Sequence, residues 1–222
     1  MKKIKAIFFD FDDTLQDREK AFEYYCNIFF DEFLPDVCEK ERKMKIQQML
    51  DNAEGGYLPR EKYFPKMIAL WGWENPPEVD TLVYHFNHTF GKYVALFDDV
   101  FTVLETLKSR GYKLGIITNG NSVVQNMKLD SAGIRDFFDV ILVSGDCPWA
   151  KPSREIFDEA AKQIGIENEN IVYIGDHPVN DIQGALGADM NAVWMNFGYF
   201  KDKCKADVPQ IKTLSELIEI FK

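Results

Sequence analysis

An α/β fold, a Rossmann-like parallel sheet between helices with an all-helical segment inserted near its start, is predicted by three features of the 222-residue chain. The run 4–9 is, apart from Lys5 near its start, apolar on both faces, which suits a central strand covered from both sides. From Asp98 onward, short apolar runs alternate with stretches of helical periodicity, and that alternation demands a parallel sheet with helices on each face. Between Leu15 and Leu96 the alternation stops and only helical periodicity remains, which marks an insertion. The expected division is residues 1–15 with 97–222 as one α/β unit, and 16–96 as a helical unit.

Within the insertion, helices are expected over 19–33, 36–51, 59–71 and 77–90, with Gly55-Gly56, Gly72 and Pro76-Pro77 as breaks. Its aromatics, among them Phe22, Tyr25, Phe29, Tyr63, Phe64 and Phe86, recur at helical spacing and read mainly as a small core. Beyond it, Asp98 or Asp99 is expected to cap a helix reaching Arg110, and a strand over 112–117 ends at Thr118-Asn119-Gly120. A helix to about Ala132 leads to a strand over 140–143 and a loop holding Trp149, Lys151 and Pro152. Ser153 is expected to cap the next helix, which runs to Gln163. A strand over 171–174 ends in Gly175-Asp176-His177-Pro178, with Asp181 just beyond, followed by a helix to about Leu186 and a strand over 191–195. An extended piece over 206–211 and a helix announced by the capping box Thr213-Leu214-Ser215-Glu216 complete the chain.

Composition narrows the partners. A hydrophobic fraction of 46% is ample for a packed core, and a net charge of -10 argues against a nucleic-acid polymer or an anionic membrane surface. Cys26, Cys38, Cys147 and Cys204 are scattered with no C-x-x-C pair, as expected of reduced thiols in the cytoplasm. Lys2, Lys3 and Lys5 imitate the start of a signal peptide, but Asp10 interrupts the apolar run, and no other stretch is long enough to span a bilayer.

The apolar run empties abruptly into Asp10, Asp12 and Asp13. In extended chain Asp10 and Asp12 project to the same side. Two like charges roughly 4 Å apart cost about 4 kcal/mol at an effective dielectric near 20. A hard divalent metal held by oxygen would relieve that cost. Asp and Thr also cap turns, so the stretch alone leaves both readings open. Asp10, Thr118, Lys151 and Asp176, however, all fall at or just after the carboxyl ends of successive strands, where open α/β sheets bind ligands.

These residues, in this order and with these strand contexts, resemble the four motifs of the haloacid dehalogenase superfamily: Asp10-Phe11-Asp12-Asp13-Thr14, Thr118-Asn119, Lys151-Pro152, and Gly175-Asp176 followed by Asp181. The resemblance spans nearly the whole chain, and the helical insertion stands where the family places a cap of its first type. It implies a phosphatase acting on a small phosphomonoester, a nucleotide or a sugar phosphate. Asp10 would be the nucleophile that becomes an aspartyl phosphate, and Asp12 the acid and then base. Mg2+ would be held by Asp10, the main-chain carbonyl of Asp12, and Asp176, with Asp181 as a further ligand or a support behind one. Thr118 and Lys151 would hold the phosphoryl group, with Asn119, Gly120 and main-chain amides supplying further donors.

Other residues carry two readings each. Tyr57 and Arg60, on a turn of the insertion, are candidates for substrate contact, with solvated surface as the competing reading. His177 either reaches the site or shapes its turn. His85 and His88 are three apart on one helix but have no third ligand in view for a metal. A phosphomutase of the same superfamily shares every core motif and differs in how the cap protects the phosphoenzyme. A dehalogenase would lack the acid at Asp12, and a binding protein without activity would have no need of the intact set.

Overall fold

The computed structural model describes residues 3–222; Lys2, part of the basic start noted above, lies outside them. The chain runs β1 (Ala6–Phe9), α1 (Arg18–Phe33), α2 (Glu39–Asp51), α3 (Arg60–Trp71), α4 (Val79–Thr89), α5 (Val100–Ser109), β2 (Lys113–Thr118) and α6 (Ser122–Ala132). It continues through β3 (Val140–Val143), α7 (Arg154–Ile164), β4 (Ile171–Gly175), α8 (Gly184–Gly187), β5 (Asn191–Met195), β6 (Gln210–Ile211) and α9 (Leu217–Ile220).

The six strands form one parallel sheet in the order β3-β2-β1-β4-β5-β6. β1 is central and buried throughout, which is why its sequence shows no polar alternation. Its alternate residues feed two cores. Ile7 and Phe9 pack with α5, α6 and the C-terminal Leu214, Leu217 and Phe221, while Ala6 and Phe8 pack with Ile156, Phe157 and Ala160 of α7. Because the chain leaves β1 for β2 and later returns to its other side for β4, the switch in strand order lies between β1 and β4, where a crevice opens at the carboxyl ends.

The helices α1–α4 have a third core of their own, built on Phe22, Tyr25, Phe29, Phe30, Tyr63 and Phe64. Two connections join this layer to the sheet, and they run side by side: Asp17 N donates to Ala95 O at 2.9 Å and Phe97 N to Leu15 O at 3.2 Å. Most aromatics of the insertion are therefore committed to packing.

Local details depart from expectation at the caps. Asp99 stands at the start of α5, but its carboxylate accepts from the N–H (2.8 Å) and hydroxyl (2.6 Å) of Ser215 and makes no cap bond. Ser153 occupies the N-cap of α7, yet its hydroxyl donates to Glu155. In both, a nearby side chain outcompetes the helix N–H groups. The helix expected to reach Leu186 opens as a π-helical turn, Pro178–Gln183, before α8. The Thr213/Glu216 capping box is present and opens a short 3₁₀ turn that runs into α9.

Candidate active site

Three carboxylates meet at the switch in strand order. Asp10 follows β1, and its N–H donates to Ile174 O of β4 at 2.8 Å; Asp176 follows β4, and Asp181 stands on the π-helical turn beyond it. Oxygens of all three lie within 4.8 Å of one another, and all three side chains are buried. The close approach depends on Gly175, where a Cβ would overlap the Asp181 carboxylate. Asp181 is further fixed by the His177 N–H at 2.9 Å.

One ammonium serves this cluster. Lys151 Nζ lies 2.8 Å from Asp10 Oδ1 and 2.6 Å from Asp181 Oδ1, and it donates to the Tyr173 hydroxyl at 2.8 Å. The Tyr173 hydroxyl in turn donates to Ile117 O at 2.6 Å, so the ring props Lys151 against β2. One positive charge cannot balance three negative ones. Burial, with Asp181 and Asp12 adding to it, raises Asp10 to about 7 against the pull of Lys151. Burial, Asp181 and Asp10 likewise hold Asp176 well above the usual carboxylate range. The Lys151–Asp10 contact is an ion pair without hydrogen-bond alignment, which leaves Asp10 Oδ1 buried with no donor. An oxygen-only donor set with surplus negative charge and an orphaned buried oxygen fits a hard divalent cation.

Asp12, two residues on, sits in a different environment. Lys128 Nζ is 2.8 Å from both of its oxygens, Gln16 donates to Oδ1 at 2.5 Å, Gln125 to Oδ2 at 3.2 Å, and Arg18 stands 3.7 Å away. Burial alone would raise this carboxyl, but Lys128 and Arg18 outweigh it and hold Asp12 at about 2. Gln125 also donates to the Thr118 hydroxyl at 2.7 Å, which leaves the threonine proton free to be donated elsewhere.

The other expected donors are committed. The Asn119 amide exchanges two bonds with the backbone of Lys151, at 2.8 and 2.9 Å, and the Gly120 N–H donates to Ser144 at 3.0 Å. Asn119 therefore holds the Lys151 loop to the end of β2. His177 shapes its turn, its Nδ1 accepting from the N–H groups of Val179 and Asn180 at 3.1 Å each. His85 and His88 go separate ways, one to the Tyr25 hydroxyl and the other to Tyr84 O.

Above the carboxylates lies a cavity of about 440 Å³, walled by the strand ends on one side and by the helical insertion on the other. Tyr57 and Arg60 both line it. The solvated-surface reading fails for Arg60, which is only 8% exposed. Tyr57 is half exposed and packs its ring on His177 and Phe200, centroids 5.4 and 5.3 Å apart. Sequence reasoning missed Gln125, Lys128, Gln16 and Tyr173. For the first two a signal existed: they are three apart on α6, on the buried face shared with Val124 and Leu129, where a polar pair needs partners.

A family described as haloacid dehalogenase-like hydrolase matches residues 7–195. A glyceraldehyde 3-phosphate phosphatase of Methanothermobacter thermautotrophicus is 30% identical, the alignment covering 98% of this chain and 100% of the relative. One of the same name from Methanopyrus kandleri is 31% identical over 99% and 97%. Among solved structures, the putative hydrolase YfnB from Bacillus subtilis, bound to magnesium, superposes with a TM-score of 0.78 over 100% of both chains at 26% identity.

Proposed function

Because the chain belongs to the haloacid dehalogenase-like hydrolases, we propose that it is a magnesium-dependent phosphatase that releases phosphate from a small cytoplasmic phosphomonoester through an aspartyl phosphate on Asp10. Full-length relatives named for glyceraldehyde 3-phosphate favour a sugar phosphate of that size over a nucleotide. The absence, among the described residues, of any helix long and apolar enough to cross a membrane, together with four unpaired cysteines, supports a cytoplasmic setting. The observation that carries the reading is the buried group of Asp10, Asp176 and Asp181 around a single lysine.

Magnesium, held by Asp10, Asp176, Asp181 and the main-chain carbonyl of Asp12, would screen the approach of a phosphoryl anion to this acidic cluster. The Asp10 carboxylate attacks phosphorus and the leaving oxygen departs, which splits one hard displacement into two easier ones. Thr118 donates its free hydroxyl proton to a phosphoryl oxygen, and Lys151 neutralises charge on that oxygen as well as on Asp10. Asp12, kept ionised by Lys128, is poised to take a proton from the water that cleaves the aspartyl phosphate. Its donor role in the first step requires proton uptake, which an arriving anion promotes by raising its pKa. Residues 16–96 act as a cap, and residues 1–15 with 97–222 as the core that carries the chemistry. Cap residues, Tyr57 and Arg60 first, choose the leaving group.

The test is mass spectrometry of protein quenched during turnover. A phosphoryl adduct should appear on Asp10 in the native enzyme and be absent from Asp10→Asn, and excess chelator should abolish hydrolysis. An adduct elsewhere, or full activity in chelator, would refute the assignment.

A further inference from the structure

Four cations line the cavity, and three have counter-charges: Lys151 with Asp10 and Asp181, Lys128 with Asp12, and Arg18 with Asp12. Arg60 has none among the described residues. It begins α3, and its guanidinium lies between the rings of Phe86, Tyr63 and Phe22, with centroids at 4.3, 4.8 and 4.9 Å. Nη1 is buried without a hydrogen-bond partner. The groups that act on it most strongly are another cation, Arg18, and the side chains of Tyr63, Tyr25 and Cys26, none of which is a carboxylate. Burial and Arg18 lower the guanidinium to about 10, so it stays charged at neutral pH. The aromatic faces attract the cation but offer its N–H groups no acceptor. A buried charge left in that state is costly, and the open side of this one is the cavity itself.

We propose that Arg60 receives a second oxyanion on the substrate, so that the preferred phosphomonoester carries a carboxylate or a second phosphate on its leaving group. This rests on the phosphatase reading, and it sharpens the substrate class from sugar phosphates in general to those with two anionic ends. One end meets the Asp10 cluster with its lysine, and the other meets the guanidinium under the cap. An aldehyde or hydroxyl in that place would leave the cation without a counter-charge. A planar guanidinium suits a carboxylate or phosphate in two-point contact, and an interaction of this kind discriminates strongly because the unmatched analogue leaves a buried charge unpaired.

The experiment compares matched pairs with magnesium present: 3-phosphoglycerate against glyceraldehyde 3-phosphate, and fructose 1,6-bisphosphate against fructose 6-phosphate. The member of at least one pair that carries a second anionic group should have the higher kcat/KM by about tenfold or more, and the pair that shows it identifies carboxylate or phosphate as that group. In Arg60→Gln that ratio should fall to about one, while Arg60→Lys should keep part of it. The ratio cancels any loss of active protein, so a variant that folds poorly still reports. Equal or better turnover of the members without a second anionic group, or a ratio that survives Arg60→Gln, overturns the proposal. Should no phosphomonoester be turned over, the phosphatase reading fails on its own. Calorimetric binding to the native protein with magnesium then decides: tighter binding of 3-phosphoglycerate than of glyceraldehyde 3-phosphate, lost in Arg60→Gln, upholds the Arg60 assignment, and equal binding overturns it.

Discussion

Asp10 and Asp12 are separated by one residue, yet their surroundings push them in opposite directions, Asp10 up to about 7 and Asp12 down to about 2. The difference lies in the cation each faces. Lys151 is shared between Asp10 and Asp181, while Lys128 gives both of its hydrogen bonds to Asp12. Because the folded value of Asp12 lies below its ordinary 3.8, the pairing contributes stability above pH 4 that is lost as pH falls through 2, on the order of 2 kcal/mol. Lys128→Met removes the ammonium and leaves burial opposed only by Arg18 and the glutamine hydrogen bonds. Asp12 should then titrate higher, and the acid limb of the pH–kcat profile should move up by about one unit or more. Loss of one partner of a buried pair should also cost about 3–5 kcal/mol in urea unfolding at neutral pH. An acid limb that stays in place while stability falls would remove Asp12 from the protonation steps. At this scale the sequence was half readable: an aspartate after an apolar strand announces itself, whereas Lys128 and Gln125 are betrayed only by sharing the buried face of α6 with Val124 and Leu129, and nothing there tells that Asp12 is their partner.

Among the elements, the helices and strands were legible because their periodicities are long and most of their Gly and Pro stops hold, Pro65 inside α3 being an exception. The turns between them were less so. Gly55-Gly56 reads as a break between helices, and it is one, but its carbonyls also receive the Arg18 guanidinium, with Nη2 3.2 Å from Gly56 O. Arg18 thus ties the first turn of α1 to the turn before α3 while standing 3.7 Å from Asp12. Gly56 has φ +86, and a Cβ there would overlap the guanidinium. Gly56→Ala should therefore do more than add the roughly 1 kcal/mol of left-handed backbone strain. It should dislodge Arg18, lowering the melting temperature and, in the proposed mechanism, reducing kcat/KM by about tenfold for a sugar phosphate. Native stability and turnover in this variant would show that the turn is a passive connection. The failed caps at Asp99 and Ser153 follow the same logic on a smaller scale. A polar side chain has several acceptors and donors in reach, and only the fold decides which is nearest.

For the whole molecule, the alternation of elements was enough to predict a parallel sheet, but not its strand order, since either side of β1 could have taken β4. The observed order places β4 next to β1 and so brings Asp176 and Asp181 against Asp10. That juxtaposition couples global stability to pH. Asp10 and Asp176 have folded values above their ordinary 3.8, so the folded state binds protons that the unfolded chain has already released. Their contribution is most favourable below pH 4 and is lost as pH rises through about 7 for Asp10 and through the raised folded value of Asp176. In the proposed mechanism magnesium would require the deprotonated carboxylates, so it would compete with protons more strongly at pH 5 than at pH 8. A concentration 100 times Kd stabilises by about 2.7 kcal/mol, which for a chain of this length raises the melting temperature by about 5–10 °C. That rise should be clear at pH 8 and small at pH 5 in a thermal melt. Asp176→Asn should lose most of the magnesium effect while melting higher than the native protein in chelator at pH 8, because one carboxylate of a cluster that a single lysine cannot balance is gone. A magnesium shift that is equal at the two pH values, or larger at pH 5, would mean that the ion binds somewhere other than among these carboxylates.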